Sequence, residues 1–171
     1  DGYADYVTTN NIFLGQQAGN DAATGTNGTA VGFQSMKGMT TQNDNVALGY
    51  RALKNMGGAS NYNTGIGAGV METLSGSIYN VGMGVNALQA GGGSGYNVAI
   101  GHSALTLLSG GGYNVAVGYL AGTGTSSAAN NVAVGAIAMN NYMDNNSVAI
   151  GLQAMYGDGT SGGAGVNVAV G

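Results

Sequence analysis

The chain has 171 residues, 35 of them glycine, with no proline, cysteine or tryptophan and a formal net charge of −4. Glycine does not recur every third residue and proline is absent, so a collagen helix is excluded; 44% hydrophobic and 6% charged residues argue against intrinsic disorder. Three basic residues, Lys37, Arg51 and Lys54, cannot neutralise many phosphates, so nucleic acid is not an expected partner.

The lack of cysteine removes disulfides and thiolate metal sites. No run approaches the roughly 18 apolar residues of a membrane-spanning helix, so the segment is not expected to be membrane-embedded. Nor does a signal peptide open the chain, which is weak evidence about location if the segment is a fragment.

Residues 1–10 read as an N-terminal lead-in, and residues 11–171 as one array of ten rungs, a piece of a longer fibre. One glycine marks each rung: Gly15, Gly32, Gly49, Gly67, Gly84, Gly101, Gly118, Gly135, Gly151 and Gly171. Successive spacings are 17, 17, 18, 17, 17, 17, 17, 16 and 20 residues, the signature of a repeat architecture. Around these glycines, Asn97-Val98-Ala99-Ile100-Gly101 returns as Asn114-Val115-Ala116-Val117-Gly118 and as Asn131-Val132-Ala133-Val134-Gly135. A small residue follows three positions later, as at Ala52, Ala87, Ala104 and Ala121, and then Leu or Met, as at Leu53, Met71, Leu88 and Leu105.

Such a unit is too short for a helix pair, and its glycines each cost about 1 kcal/mol inside a helix. Val-Ala-Ile between Asn and Gly predicts a strand of about four residues, and the piece near Ala104-Leu105 predicts a second strand or extended edge. The expected fold is therefore all-β, a parallel β-solenoid whose ten rungs stack about 4.8 Å apart into a rod on the order of 45 Å long. Alternation is expected to send Val98 and Ile100 inward and Ala99 outward, leaving an external column of small residues. A thin core and that column both favour association of several chains along their length.

The asparagine four positions before each glycine, at Asn45, Asn63, Asn80, Asn97, Asn114, Asn131 and Asn167, is expected to form a hydrogen-bonded structural ladder, interrupted at Gly28 and Ser147. Tyr62, Tyr79, Tyr96 and Tyr113 precede four of these asparagines and should stack on one edge, as candidate contacts for a glycan or receptor or as groove filler between chains.

These motifs resemble the head repeats of the YadA-like trimeric autotransporter adhesins. Asn146-Ser147-Val148-Ala149-Ile150-Gly151 carries that family's rung without a change. Gly49-Tyr50-Arg51-Ala52-Leu53 is similar to repeats of bacteriophage tail fibres. The resemblance implies a left-handed β-roll, assembly as a homotrimer, and attachment to host surfaces. The rung is longer here than in adhesin heads, which tilts the reading toward the tail-fibre relatives.

Chemistry-bearing residues are sparse. His102 is the single histidine and takes the slot after the repeat glycine held elsewhere by Phe33, Tyr50 and Tyr119, so it reads as a repeat side chain. Asp21, Asp44, Glu72, Asp144 and Asp158 lie in different rungs, with Asp21 and Asp44 the nearest approach to a glycosidase pair. Gly91-Gly92-Gly93-Ser94-Gly95 lacks the lysine of a phosphate loop, and Asp144-Asn145-Asn146 lacks the repeated aspartates of calcium-binding rolls.

No catalytic residue, cofactor or metal is expected, and the chain is not expected to be an enzyme. The segments 37–44, 54–61, 106–112, 123–129 and 156–165 vary while the strands do not, so they are the expected binding loops. The expected function is a phage tail-fibre module that attaches to a host-surface glycan or protein, on a virion or bacterial surface. The alternatives are an adhesin head and a passive spacer whose binding tip lies elsewhere. An ice-binding solenoid fits poorly because the threonines fall out of register.

Overall fold

A computed structural model describes residues 6–7, 10–124, 127–141, 145–157 and 166–171. β-branched residues flanking a small one favour extended backbone, and each repeat places a triplet of this kind or close to it before its glycine, after an asparagine in all but two. These triplets are β2 (Ile12–Leu14), β3 (Thr29–Val31), β4 (Val46–Leu48), β6 (Thr64–Ile66), β8 (Val81–Met83), β10 (Val98–Ile100), β11 (Val115–Val117), β12 (Val132–Val134), β13 (Val148–Ile150) and β14 (Val168–Val170). All pair in parallel with their neighbours, residue for residue: Ala99 stands opposite Ala116, and Ala116 opposite Ala133. The described residues contain no helix, and the fold is a parallel β-solenoid of about nine turns.

β1 (Tyr6–Val7), in the lead-in, pairs antiparallel with β2, Tyr6 opposite Phe13 and Val7 opposite Ile12. It covers the backbone edge of the first rung, which would otherwise be an open pairing template. The far side of the coil carries a smaller parallel sheet, β5 (Asn55–Gly57), β7 (Thr73–Ser75) and β9 (Ala90–Gly92).

Two expectations about the strands change. The piece at Ala104-Leu105 is a turn, not a strand. The second sheet lies further along the repeat, in three consecutive rungs among the described residues, partly within the segment 54–61 that reads as a loop in the sequence. Side-chain phase is also reversed: Ala30, Ala47, Ala99, Ala116 and Ala149 are fully buried, whereas Val31, Ile100 and Ile150 are exposed. The physical reason is space. Inside the coil, the central strand position faces the Ala and Leu or Met of the turn, and no room remains for two branched side chains per strand.

The interior is filled by compensation between columns. Leu53, Met71, Leu88, Leu105 and Met139 reach inward from the turn and are buried, with Met39, Met56, Leu74 and Leu108 closing the opposite side. In the second column slot, where Gly19 replaces a large residue, Phe13 occupies the space its side chain would need. Conversely, Val70 replaces the usual alanine, and both Gly65 and Gly82 lie against it in place of alanine.

The large turn residues adopt left-handed backbone, with φ of 49° at Leu53, 48° at Leu88 and 50° at Leu105. For a non-glycine residue that conformation costs on the order of 1–2 kcal/mol. Burying a leucine returns about 1.5–3 kcal/mol, so burial wins and the turn holds. At the repeat glycines the demand is stricter. φ is 134° at Gly49 and 129° at Gly84, and a Cβ there would come within 2.5 Å of Gly67 O and 2.6 Å of Gly101 O respectively. Backbone stacked directly on backbone leaves nothing that can move aside.

A methyl added at Gly82 would meet Val70 Cγ2 and Met71 Cε at 2.8 Å. Gly82→Ala is therefore expected to destabilise the chain by about 1–3 kcal/mol. Adding Val70→Ala should recover most of that loss, because it restores the alanine-on-alanine arrangement of other rungs. Urea unfolding midpoints of the single and double variants check this.

Candidate functional site

The corner leading into each main strand carries the residues the sequence singles out. Its innermost member is the ladder asparagine. Asn63, Asn80, Asn97, Asn114 and Asn131 are buried, and the Oδ1 of each preceding ladder asparagine accepts two bonds from the next rung. For Asn97 Oδ1 the donors are the Asn114 backbone N–H at 2.9 Å and Asn114 Nδ2 at 3.0 Å. Asn97 Nδ2 in turn donates to Asn80 Oδ1 at 3.1 Å and to Gly111 O at 3.2 Å. A buried amide is costly unless satisfied, and repetition at fixed spacing satisfies it.

The interruptions differ from expectation. Ser147 does not break the ladder: its backbone N–H donates to Asn131 Oδ1 at 2.8 Å, and Asn167 Nδ2 donates to its Oγ at 3.4 Å. Gly28 supplies only its backbone N–H, which donates at 2.7 Å to Oδ1 of Asn11. Asn11 is the ladder's first member and was missed in the sequence reading, although it stands four residues before Gly15.

On the outer lip of the same corner stand the tyrosines. Ring centroids of Tyr62 and Tyr79, Tyr79 and Tyr96, and Tyr96 and Tyr113 lie 4.7, 5.0 and 4.9 Å apart, with interplanar angles of 3°, 18° and 2°. Asn27, Asp44, Asn130 and Asn146 occupy the slot in other rungs, and each of these residues, like the four tyrosines, has φ near +60°. Asn and Asp tolerate that conformation, while the tyrosines offset its cost by stacking.

The spacing limits what the column can hold. A sugar between two rings would need about 3.5–4 Å on each side, and the rings already lie face to face. Only the outer ring edges and the terminal faces remain for a ligand. Tyr113, at one end, is 63% exposed against 46% for Tyr96.

A second aromatic column follows the repeat glycine, with Phe33 stacked on Tyr50 at 5.7 Å and His102 tilted against Tyr119 at 5.5 Å. His102 thus takes the repeat slot the sequence assigns it. Beside this column runs a polar row absent from the sequence reading. Gln34 Nε2 donates to Gln17 Oε1 at 2.7 Å, and Arg51 Nε donates to Gln34 Oε1 at 3.2 Å.

The acids are dispersed among such structural contacts. Glu72 lies 3.6 Å from Arg51 and 3.9 Å from Lys54, and Asp44 Oδ1 accepts from Asn27 Nδ2 at 2.7 Å. Among the described residues no three His, Cys, Asp or Glu side chains gather around one point. Asp144, Asp158 and most of segment 156–165 lie outside the described residues, as does part of segment 123–129. Comparison with protein-family models, curated proteins and solved structures finds no match.

Removing one ladder side chain strands groups in two rungs at once. Asn97→Ala is expected to cost about 1–3 kcal/mol. Asn97→Ser should cost less, because the Ser147 hydroxyl shows that a serine can still accept from the ladder amide of the next rung, Asn167 Nδ2, at 3.4 Å. Chemical unfolding of the two variants beside the parent chain tests the order.

Proposed function

We propose that this chain is a fibre module that assembles as a homotrimer and attaches its bearer to a host surface, as part of a phage tail fibre. One observation carries the reading. The outward face of the ten-stranded parallel array presents two side chains per strand, all of them apolar except Thr29 and Thr64, and none charged. Parallel sheets are ordinarily covered on both faces. An apolar strip this long, on the order of 500 Å² from strand spacing and rise, lies at the upper end of what monomeric proteins leave exposed, where patches commonly serve as contact surfaces.

Identical strips on identical chains cover one another, and three copies in a left-handed roll follow from the resemblance to adhesin heads and tail fibres. In that arrangement the alanine column serves the interior of each coil, and Val and Ile serve the contact between coils. Three copies of a weak surface site held rigidly together gain avidity. The location that goes with this role is extracellular, on a virion or a bacterial surface. The head of a bacterial adhesin is the second reading, favoured by the unchanged rung Asn146 to Gly151.

Light scattering is expected to give three times the 16.7 kDa chain mass. Met83→Lys combined with Ile100→Lys, both outward-facing and exposed, should shift the protein to single chains with β dichroism retained. A single-chain mass for the unsubstituted protein would contradict the assembly. Adherence of the labelled trimer to host cells supports attachment, and a trimer that adheres to none is a spacer.

A further inference from the structure

The tyrosine corner is not equally filled along the rod. Two residues before the ladder asparagine stand Asn43 and Asn61 in adjacent rungs. Their side chains lie along the corner, where Asn43 Oδ1 accepts the Thr26 backbone N–H and Asn61 Oδ1 accepts the Asn43 backbone N–H, each at 2.8 Å. Asn145 does the same further on, accepting the Ala129 N–H at 2.7 Å. In the rungs between, the slot falls to Ile78, Gly95, Gly112 and Ala129, and beside the first three a groove of about 290 Å³ opens against Tyr96 and Tyr113.

We propose that this groove binds a neutral pyranose unit of an uncharged glycan. The proposal deepens the attachment reading and rests on it. Its volume is near the low end for small-molecule sites, which suits one or two sugar residues. Gly93, Gly95 and Gly112 line it, so no side chains stand in the way, and the Gly95 and Gly112 carbonyls, which accept from the Tyr113 and Asn130 N–H groups at 3.1 and 3.0 Å, each keep a second lone pair for a ligand hydroxyl. Tyr113 ends the aromatic column. The slot beyond it holds Asn130, whose Nδ2 is turned to Asn146 Oδ1 at 3.1 Å. The free face of the Tyr113 ring on that side looks away from the groove, which meets Tyr96 and Tyr113 at their ring edges, and these amphipathic edges suit the C–H groups and hydroxyls of a sugar.

Charge narrows the ligand further. No charged side chain lines the groove, and the three cations, Lys37, Arg51 and Lys54, belong to earlier rungs. A carboxylated or phosphorylated sugar would find no counter-charge there.

Saturation-transfer NMR on the whole chain, with maltotriose and chitotriose as neutral probes and sialyllactose as the charged comparison, tests the proposal. Binding of a neutral probe in the millimolar range is expected. Tyr113→Ala should weaken it about tenfold, equivalent to the loss of one aromatic contact. Gly95→Asn should abolish it by filling the groove. That substitution places in this rung the residue found at Asn43 and Asn61, and its Cβ would sit 3.1 Å from Ile78 O, close enough to need only a small shift.

Absence of transfer to both neutral probes, preference for sialyllactose, or unchanged binding in the two variants would overturn the groove. Cell adherence of trimeric Gly95→Asn separates the two readings: retained adherence overturns the groove and leaves attachment standing, while adherence lost together with sugar binding supports both.

Discussion

Every feature of this protein follows from stacking one lap of backbone directly on the previous one. The repeat glycines set the distance, because a Cβ at Gly49 or Gly84 would strike the carbonyl of the glycine one rung away. The asparagine ladder sets the register, because each buried Oδ1 finds its donors in the ladder residue of the next lap. Slippage by one residue would orphan a buried Oδ1 in every rung and turn the alanine column outward. With distance and register fixed, like side chains form columns, and whatever chemistry the protein has is chemistry of columns.

That constraint decides which residues face inward. The coil is narrow, so its interior takes alanine from the strand and leucine or methionine from the turn, even where the latter must adopt a left-handed backbone. Val and Ile are left to the outside, an inversion of the usual relation between size and burial. An apolar exterior on a parallel sheet is a surface awaiting another surface, and the internal economy of one coil thereby leads to the assembly of several.

Much of this was legible in the sequence. The ten glycines and their spacing mark the ten parallel strands of the main sheet, the ladder from Asn45 to Asn131 is bonded as its position requires, and the four tyrosines stack as their slot requires. What could not be read was the phase of the strand. Val98-Ala99-Ile100 alternates equally well in either sense, and only the volume supplied by Leu105 from the turn decides between them. The second sheet was hidden because Asn55-Met56-Gly57 and Ala90-Gly91-Gly92 have little strand propensity; stacking on Thr73-Leu74-Ser75 imposes their conformation. The groove was invisible for a related reason, since it consists of side chains that Gly95 and Gly112 lack.

The most direct measurement is hydrogen exchange at the side-chain amides of the ladder asparagines, resolved by NMR. Stacked in register, the Nδ2 protons of Asn63, Asn80, Asn97, Asn114 and Asn131 should exchange orders of magnitude more slowly than those of exposed Asn10 and Asn130, since only opening of adjacent rungs releases them. Exchange of all these amides at the rate of a free asparagine would contradict the stacking on which the whole account stands.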